Sequence, residues 1–269
     1  MSQVTPLAET VLERLTVPDP APLPASLPVA PLPLALVTGA AHRVGRAIAL
    51  ELARQGFAIG LHYHGSSAAA ESTAREIEAF GPVYRLPADL RDPAQVEDLF
   101  ARAAALPHPL RVLVNSAAVM AHGSLVNLPV EEWDAALDLN LRAPWLCARA
   151  AAPLMETAGG GVIVNISDSG AHKQWTGYPA YIISKAALET LTRLLARALA
   201  PSVRVNAVAP GLILPAADLP PEQWQRLVDR LPLQAAGTPE DVARAVVFFV
   251  QNPYVTGQVL AVDGGYQLV

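Results

Sequence analysis

Short apolar runs alternate with stretches of amphipathic helical periodicity from residue 34 to the end of the chain, and this alternation limits the fold more than any other feature. Runs of this length predict strands buried on both faces, as in a parallel sheet covered by helices. Seven are present: LALVT, AIGLHY, VYRLP, LRVLVN, GVIVNIS, VRVNAVAP and QVLAV. Helices are predicted between them near residues 45–55, 68–80, 93–105, 131–156, 179–199 and 239–251. The order predicts an α/β fold with one doubly wound parallel sheet in a single domain, residues 34–269.

The segment from Leu212 to about Arg230 interrupts this alternation after a strand end. Because no repeat and no second hydrophobic core is evident, any separate substrate region has to be a loop insertion. We interpret this segment as a mobile lid with a short helix.

Residues 1–33 form a proline-rich N-terminal extension that holds eight of the 25 prolines. Proline at this density blocks helices and sheet ladders and favours extended, polyproline-like chain. We interpret the extension as a semi-rigid tail or wrapping arm. A recognition ligand for an aromatic groove on a partner protein is the alternative.

Composition excludes several classes of protein. The net charge of −5 gives no basic face for binding nucleic acid. No apolar window approaches 18 residues and the start lacks the pattern of a secretory signal, so we expect a cytoplasmic protein that does not enter a membrane. Cys147 is the single cysteine, so no intramolecular disulfide forms. We predict no metal site.

The first predicted strand ends in the turn TGAAHRVG and runs directly into a helix. Gly39 and Gly45, with Arg43 and Val44 between them, allow backbone N–H groups and a helix N-terminus to face a pyrophosphate. The glycines alone are equally compatible with a turn that binds nothing. The strand–turn–helix context favours a dinucleotide cofactor.

The end of the second predicted strand distinguishes the two nicotinamide cofactors. NAD enzymes usually place Asp or Glu about 20 residues after the glycine turn, where it holds the adenosine 2′-hydroxyl. Here the strand ends in LHYHGSS, without a carboxylate that would repel a 2′-phosphate. We therefore expect NADP(H) in preference to NAD(H), with Arg43, His64, Ser66 and Ser67 supplying charge and hydrogen-bond donors. His64 as an ordinary surface residue at a strand end is the alternative.

Two further segments are expected along the cofactor. Asp89, with Leu90 beside it, follows the third strand and is placed to accept from the adenine amino group. Capping of the helix that starts near Asp92 is an equal alternative for Asp89. Asn115 and Ala117 follow at the end of the fourth strand, where a doubly wound sheet opens its crevice.

Four polar residues then follow in the order Asn140, Asp168, Tyr181 and Lys185. Tyr181 and Lys185 lie at i and i+4, so they share one face of a predicted helix. An ammonium beside a phenol lowers the phenol pKa from about 10 towards working pH, as general acid catalysis requires. Only Lys173 and Lys185 are lysines among the 19 Lys and Arg residues, so the compact ammonium of Lys185 indicates a specific role, including a grip on the nicotinamide ribose. A surface Tyr–Lys pair without function is the alternative.

The turn TGAAHRVG, the segment NSAA, Asn140, the pentad YIISK and the pair Pro210-Gly211 together resemble the short-chain dehydrogenase/reductase family over residues 34–269. The resemblance implies a Rossmann-type domain and hydride transfer from a nicotinamide. It also implies that Tyr181 is the proton donor and that Lys185 activates it and clamps the ribose.

The same resemblance assigns further roles. Asn140 would hold a relay water, and Pro210, Gly211 and Ile213 would border the nicotinamide. A homo-oligomer, tetramer or dimer, would assemble through the helices that carry Asn140 and Tyr181.

Two departures from the common family pattern resemble the pteridine reductase subgroup: Arg43 stands in the place of a glycine, and Asp168 in the place of a serine 13 positions before Tyr181. In that subgroup the arginine approaches cofactor phosphate and substrate, and the aspartate works with the tyrosine on a ring C=N bond. A carboxylate also suits the N–H groups of a pterin. The alternative is that Ser167 or Ser169 takes the serine role and Asp168 merely completes a turn.

The substrate wall departs from the subgroup as well. Met120 stands where the subgroup often has a stacking aromatic residue, and Gly65 where it often has an arginine. Trp175, Tyr178 or Trp224 would then supply the stacking face, with packing beneath a lid as the alternative for each.

These residues predict an NADPH-dependent reductase of a small molecule, a pterin or dihydrofolate-like ring, with Arg43, Met120, Asp168, Trp175 and Tyr181 at the substrate. An NADP-dependent reductase of ketones or 3-oxoacyl thioesters is the first alternative. A nucleotide-binding regulator that performs no chemistry is the second.

Overall fold

A computed structural model describes residues 31–173, 175–215 and 219–269 of the chain. The predicted proline-rich extension, 1–33, therefore lies almost wholly outside the described residues. Residues 216–218 of the predicted lid lie outside them as well.

The central sheet contains the seven predicted strands, which are β1 (Leu34–Val37), β2 (Ala58–Tyr63), β3 (Val83–Pro87), β4 (Leu110–Asn115), β5 (Gly161–Ile166), β6 (Val203–Pro210) and β7 (Val259–Val262). They lie in the order β3-β2-β1-β4-β5-β6-β7, and each neighbouring pair is parallel. The order reverses between β1 and β4, so the loops that follow these strands lead to opposite faces and open a crevice at the carboxyl edge. The predicted doubly wound α/β fold is confirmed.

The helices of the described residues are α1 (Arg43–Arg54), α2 (Ser67–Ile77), α3 (Pro93–Ala104), α4 (Val130–Leu137), α5 (Ala143–Thr157), α6 (Gly170–Lys173), α7 (Pro179–Ala198), α8 (Pro221–Val228) and α9 (Pro239–Gln251). Helix is present in each predicted region, but the single helix predicted over 131–156 is replaced by α4 and α5, and the short α6 was not predicted. None of these helices has the length and apolar composition needed to cross a membrane.

The strand β1 shows why the apolar runs are unbroken. Ala35 and Val37 pack against the layer that contains α1, α2 and α9. Leu34 and Leu36 face the opposite layer, which contains α3 and α5. All four are fully buried, because helices cover both faces of the sheet.

The helix predicted over 131–156 is divided at its centre. Between α4 and α5 the chain makes a wide π-helical turn at Asp138–Arg142, and Asn140 lies in the middle of it. Pro144 near the start of α5 has no N–H, so the Asn140 carbonyl lacks the donor that an α-helix supplies four residues ahead. Such wide turns occur frequently at functional sites.

The predicted lid contains its short helix, α8. Val228 at the end of α8 packs with Leu212 and Leu231 in a small apolar cluster, separate from the two layers of the main core. This cluster holds the segment over the carboxyl edge of the sheet.

Candidate active site

A cavity of about 890 Å³ lies at the carboxyl edge of the sheet, beside the reversal of strand order. Most residues predicted for the site line it, namely Gly39, Arg43, Val44, Gly45, His64, Ser66, Asp89, Leu90, Ala117, Met120, Asp168, Trp175, Tyr181, Lys185, Pro210, Gly211 and Ile213. Three predicted residues do not contribute to its wall, namely Ser67, Asn115 and Asn140. We call the part of the cavity beside the glycine turn and α1 the nucleotide end, after the prediction made for that turn. The part beside Asp168, Tyr181 and Lys185 is called the chemical end.

Two glycines shape the turn at the nucleotide end. Gly39 has φ +65°, and a side chain there would place Cβ 2.9 Å from the Cα atom of Ala117. A Cβ atom at Gly45 would lie 2.2 Å from the Gly39 carbonyl oxygen. Only glycine fits at Gly45, because the first turn of α1 packs directly on the preceding loop. This arrangement brings backbone N–H groups and the start of α1 to the cavity.

Arg43 lies between these glycines with φ +53°. It therefore adopts the left-handed conformation that favours glycine, and a side chain in that conformation carries strain. Its exposed guanidinium reaches across the cavity mouth, where Nη2 donates to the carbonyl of Pro215 at 3.4 Å. Arg43 thus places a positive charge beside both the glycine turn and the lid segment.

His62 supports the same turn, and sequence reasoning overlooked it. Its Nδ1 accepts the Gly39 N–H at 3.1 Å, and its Nε2 lies 3.1 Å from the Ala88 carbonyl oxygen, which assigns the hydrogen to Nε2. Burial lowers the pKa of His62 to about 4, so the ring is neutral at physiological pH. The only signal in the sequence was a polar residue inside an apolar strand.

The residues predicted to contact the adenosine part of the cofactor lie after β2 and β3. His64 and Ser66 both line the cavity after β2. Asp89 also lines it, but its carboxylate accepts from Nε and Nη2 of Arg91, and this pairing lowers the Asp89 pKa to about 2. The side chain that caps α3 belongs to Asp92, not to Asp89. Arg91 also lines the cavity and was not predicted there.

The Asn115 side chain is hydrogen-bonded within the sheet. Its Nδ2 donates to Oδ1 of Asn165 on the adjacent strand at 2.8 Å, and Asn165 donates to Thr192 on α7. The neighbouring Ala117 reaches the cavity, and its N–H donates to the Thr38 hydroxyl. We therefore place Asn115 behind the site, as a support.

The chemical end centres on a hydrogen bond that the sequence did not predict. The Tyr181 hydroxyl donates to Oδ2 of Asp168 at 2.7 Å. The other oxygen, Oδ1, accepts the Gly170 N–H at 2.7 Å. Asp168 thus both completes a turn and contacts Tyr181, which favours a role beside the tyrosine over the turn alone.

Lys185 lies beside this pair on the same face of α7. Its Nζ is 5.6 Å from the centroid of the Tyr181 ring and donates to the Ile166 carbonyl at 2.7 Å. The side chain is almost fully buried, with 3% of the residue exposed. The predicted juxtaposition of Tyr181 and Lys185 is present.

The pKa values show how these three groups influence one another. Burial raises the pKa of Asp168, and the Tyr181 hydroxyl, the Gly170 N–H and the Lys185 ammonium oppose that rise. Burial and then the Asp168 carboxylate raise the pKa of Tyr181 well above 10. Burial lowers the pKa of Lys185 to about 8. The expectation that Lys185 lowers the phenol pKa is wrong for this arrangement, because Asp168 is the charged group that contacts the hydroxyl.

The hydroxyls of the two serines beside Asp168 make no hydrogen bond to Tyr181. Ser167 donates to Glu189, a buried carboxylate one turn beyond Lys185 on α7. The Ser169 hydroxyl is buried without a hydrogen-bond partner among the described residues. The Tyr181 hydroxyl donates to Asp168 and to neither serine.

Asn140 acts on the loop after β4. Its Oδ1 accepts the Val119 N–H at 2.9 Å, and its Nδ2 donates to the Val119 carbonyl at 2.8 Å and to the Ser184 hydroxyl at 3.1 Å. The amide is thus committed to protein groups, whereas the Asn140 carbonyl belongs to the wide turn before α5.

Aromatic rings line the outer part of the cavity. Tyr266, Trp175, Tyr178 and His122 form a chain of edge-to-face contacts with centroid distances of 5.9, 6.3 and 5.2 Å. Met120 is 44% exposed on the wall near His122. The predicted Trp224 also lines the cavity, and Tyr266, near the C-terminus, lines it as well although it was not predicted.

The chain is similar to known proteins over most of its length. The sequence profile of the family described as enoyl-(acyl carrier protein) reductase matches residues 39–267. A curated relative, the 3-oxoacyl-[acyl-carrier-protein] reductase of Staphylococcus aureus, is 34% identical over 237 residues, which cover 86% of this chain and 96% of the relative.

Two solved structures are similar over most of their length. The alternative dihydrofolate reductase 1 of Brucella suis, crystallised in complex with NADP, is 37% identical with a TM-score of 0.84 and covers 90% of this chain and 97% of its own. A blue fluorescent protein from a metagenomic library, in complex with NADPH, is 34% identical with a TM-score of 0.80 and covers 87% of this chain and 97% of its own.

Proposed function

Because the chain belongs to the short-chain dehydrogenase/reductase family, we propose that it is an NADPH-dependent reductase of a pterin or dihydrofolate-like ring. The observation that carries the proposal is the hydrogen bond from the Tyr181 hydroxyl to the Asp168 carboxylate inside the cavity. A solved relative described as an alternative dihydrofolate reductase supports the same substrate class.

The residues at the nucleotide end fit NADPH. The glycine turn has no room for a Cβ atom at Gly45, and its backbone faces the cavity beside the start of α1. Residues 64–66, which connect β2 to α2, contain no carboxylate. His64, Ser66 and Arg43 line this part of the cavity and carry hydrogen-bond donors. In our proposal these three residues hold the phosphates, and Pro210, Gly211 and Ile213 border the nicotinamide. The bound cofactor supplies the hydride.

Tyr181 is the proton donor of the proposed reaction. Its raised pKa keeps the phenol protonated throughout the physiological range, so the proton is present when the substrate requires it. Lys185 is an ammonium below about pH 8, and its positive charge offsets the negative charge that forms on Tyr181 during proton transfer. Lys185 is also the group that we assign to the ribose hydroxyls.

Asp168 directs this chemistry towards nitrogen. A carboxylate accepts N–H groups, which a pterin ring presents, but repels the alkoxide that forms from a simple carbonyl. Because burial raises its pKa, Asp168 also takes up a proton more readily than a surface aspartate. It therefore suits a substrate whose ring nitrogen accepts a proton and whose neighbouring N–H groups donate.

Asn140 contributes by positioning. Its amide fixes the loop at Val119, which forms part of the cavity wall. The family resemblance implies a relay water. In our proposal the Asn140 main-chain carbonyl holds this water, because Pro144 has no N–H to donate to that carbonyl.

Reduction of a ketone or 3-oxoacyl thioester is the second candidate. It is favoured by the 34% identity to a 3-oxoacyl reductase that matches over 96% of its length. The buried Asp168 argues against it, because that position offers a carboxylate to a developing alkoxide.

A substrate panel with NADPH tests the proposal by the loss of absorbance at 340 nm. Dihydrobiopterin or dihydrofolate is expected to turn over faster than ketones and a 3-oxoacyl thioester. Activity only on the latter compounds would contradict the pterin assignment and support the second candidate.

Tyr181→Phe separates both enzyme proposals from a regulator that performs no chemistry. The variant is expected to lose activity, whereas Tyr254→Phe, which alters a fully exposed tyrosine, is expected to keep it. A wild-type protein that binds NADPH but reduces no substrate in the panel would favour the regulator.

A further inference from the structure

Trp175 is held in place by one specific hydrogen bond. Its Nε1 donates to the Tyr266 hydroxyl at 2.8 Å, across 91 residues of sequence. The two rings also meet at 62° with centroids 5.9 Å apart. An indole fixed by both its N–H and its ring is restricted in both of its side-chain torsions.

Tyr266 is itself held from a second side. The ammonium of Lys173, at the end of α6, lies 4.8 Å from the centroid of the Tyr266 ring. The same ammonium donates to the Tyr266 carbonyl at 3.3 Å. Tyr266 also packs against the apolar cluster beneath the lid. The C-terminal turn is therefore joined both to α6 and to the lid.

The indole lies directly over the turn that presents Asp168. A Cβ atom at Gly170 would come within 3.1 Å of the fused-ring carbons of Trp175 and within 2.8 Å of Oδ1 of Asp168. The indole and the carboxylate are thus both close neighbours of Gly170. Trp175 and Asp168 both line the cavity.

We propose that Tyr266 is a specificity-determining positioning residue, whose hydroxyl fixes the Trp175 indole as a rigid wall beside Asp168 for a flat, bicyclic nitrogen heterocycle. This inference rests on the proposed function. A flat ring gains from a wall that is already in place, because no side chain has to be ordered on binding. A flexible acyl chain makes no comparable use of a planar surface.

The test is steady-state kinetics of Tyr266→Phe, which removes the hydroxyl and keeps the ring over Lys173 and the lid cluster. KM for dihydrobiopterin is expected to rise about threefold to tenfold, the typical effect of one lost neutral hydrogen bond. The value of kcat is expected to remain unchanged, because Tyr181 and Asp168 keep their contact. Tyr254→Phe is the matched control and is expected to leave both constants unchanged.

A double-mutant cycle with Trp175→Phe separates positioning from direct contact. Without the indole N–H, the further change Tyr266→Phe is expected to have no additional effect on KM. An undiminished effect in the Trp175→Phe background would mean that the hydroxyl contacts the substrate itself, and it would overturn the proposal. Thermal melting of each variant identifies any loss of fold.

The remaining outcomes distinguish the two proposals. A wild-type protein without pterin turnover overturns the proposed function and this inference together. Pterin turnover with an unchanged KM in Tyr266→Phe overturns this inference alone.

Discussion

Replacement of Arg43 by glycine is expected to make the protein more stable and a poorer binder of NADPH. Among the described residues, Arg43 and Gln234 are the non-glycine residues with positive φ, at 53° and 49°. Glycine adopts this conformation without strain. The same substitution removes the guanidinium from the cavity mouth and with it the contact to Pro215.

The stability change follows from the backbone. A left-handed conformation costs a residue with a side chain about 1–2 kcal/mol. Glycine recovers this but loses about 0.5–1 kcal/mol through the greater freedom of the unfolded chain. The net gain lies between about 0 and 1.5 kcal/mol, which corresponds to a rise of up to about 6 °C in Tm for a domain of this size.

The binding change follows from charge. A hydrogen bond to a charged group contributes about 1.5–3 kcal/mol, so the Kd for NADPH is expected to rise by about tenfold to a hundredfold. If Arg43 meets the 2′-phosphate, the Kd for NADH changes much less. The selectivity for NADPH over NADH is then expected to fall.

Thermal unfolding without cofactor and fluorescence titration with both nucleotides measure these effects. Gln234→Gly is the matched control, since it relieves the same strain at an exposed position that does not line the cavity. It is expected to raise Tm by a similar amount and to leave both Kd values unchanged. A lower Tm for Arg43→Gly would contradict the strain assigned to Arg43, and an unchanged affinity for NADPH would contradict its contact with the cofactor.

Further predictions concern the proton donors, the glycine turn and the assembly. In the wild type, kcat is expected to fall as pH rises through about 8, where Lys185 loses its proton; a constant kcat from pH 7 to 9.5 would contradict this. Asp168→Asn removes the charge that raises the pKa values of both Tyr181 and Lys185, so the alkaline limb is expected to move to lower pH, with kcat on pterin falling about a hundredfold or more. Gly45→Ala is expected to abolish NADPH binding in titrations, because its Cβ atom would collide with the Gly39 carbonyl; retained affinity would show that the turn is not the pyrophosphate site. Sedimentation velocity is expected to show a dimer or tetramer through α5 and α7, where Trp145 and Leu194 are 42% and 63% exposed; a monomer at micromolar concentration would contradict the assembly.

The strands and the glycine turn were predictable because their constraints are local. Leu34–Val37 reads as a continuous apolar run since alternate residues face two different helical layers. Gly39 and Gly45 stand where a strand passes directly into a helix, and the spacing of Tyr181 and Lys185 places them on one helical face.

The remaining features depend on contacts that spacing does not encode. His62 meets Gly39, 23 residues earlier, and Asn115 meets Asn165, 50 residues later. Nothing in either local pattern indicates which polar residue supports the site and which forms its wall. Tyr266 reaches Trp175 only because the C-terminal turn folds back beneath the lid.

The break in the helix at Asn140 is different, because its signal was present in the sequence. Pro144 removes a helical donor and so predicts an irregular turn before it. Amphipathic periodicity on both sides of the turn concealed the break. The pKa of Tyr181 was misjudged for a related reason, since helical spacing identified Lys185 but not the carboxylate that the hydroxyl contacts.

In our proposal, Asp168 beside Tyr181 directs the reaction to a nitrogen-containing ring. Its most direct test is the ratio of kcat/KM for dihydrobiopterin to kcat/KM for a 3-oxoacyl thioester, measured with NADPH in the wild type and in Asp168→Ser. We expect a ratio above one in the wild type that falls by at least about tenfold in Asp168→Ser, because a serine hydroxyl can donate to an oxyanion where the carboxylate repels it. A wild-type ratio below one, or a ratio that the substitution leaves unchanged, would contradict the role proposed for Asp168.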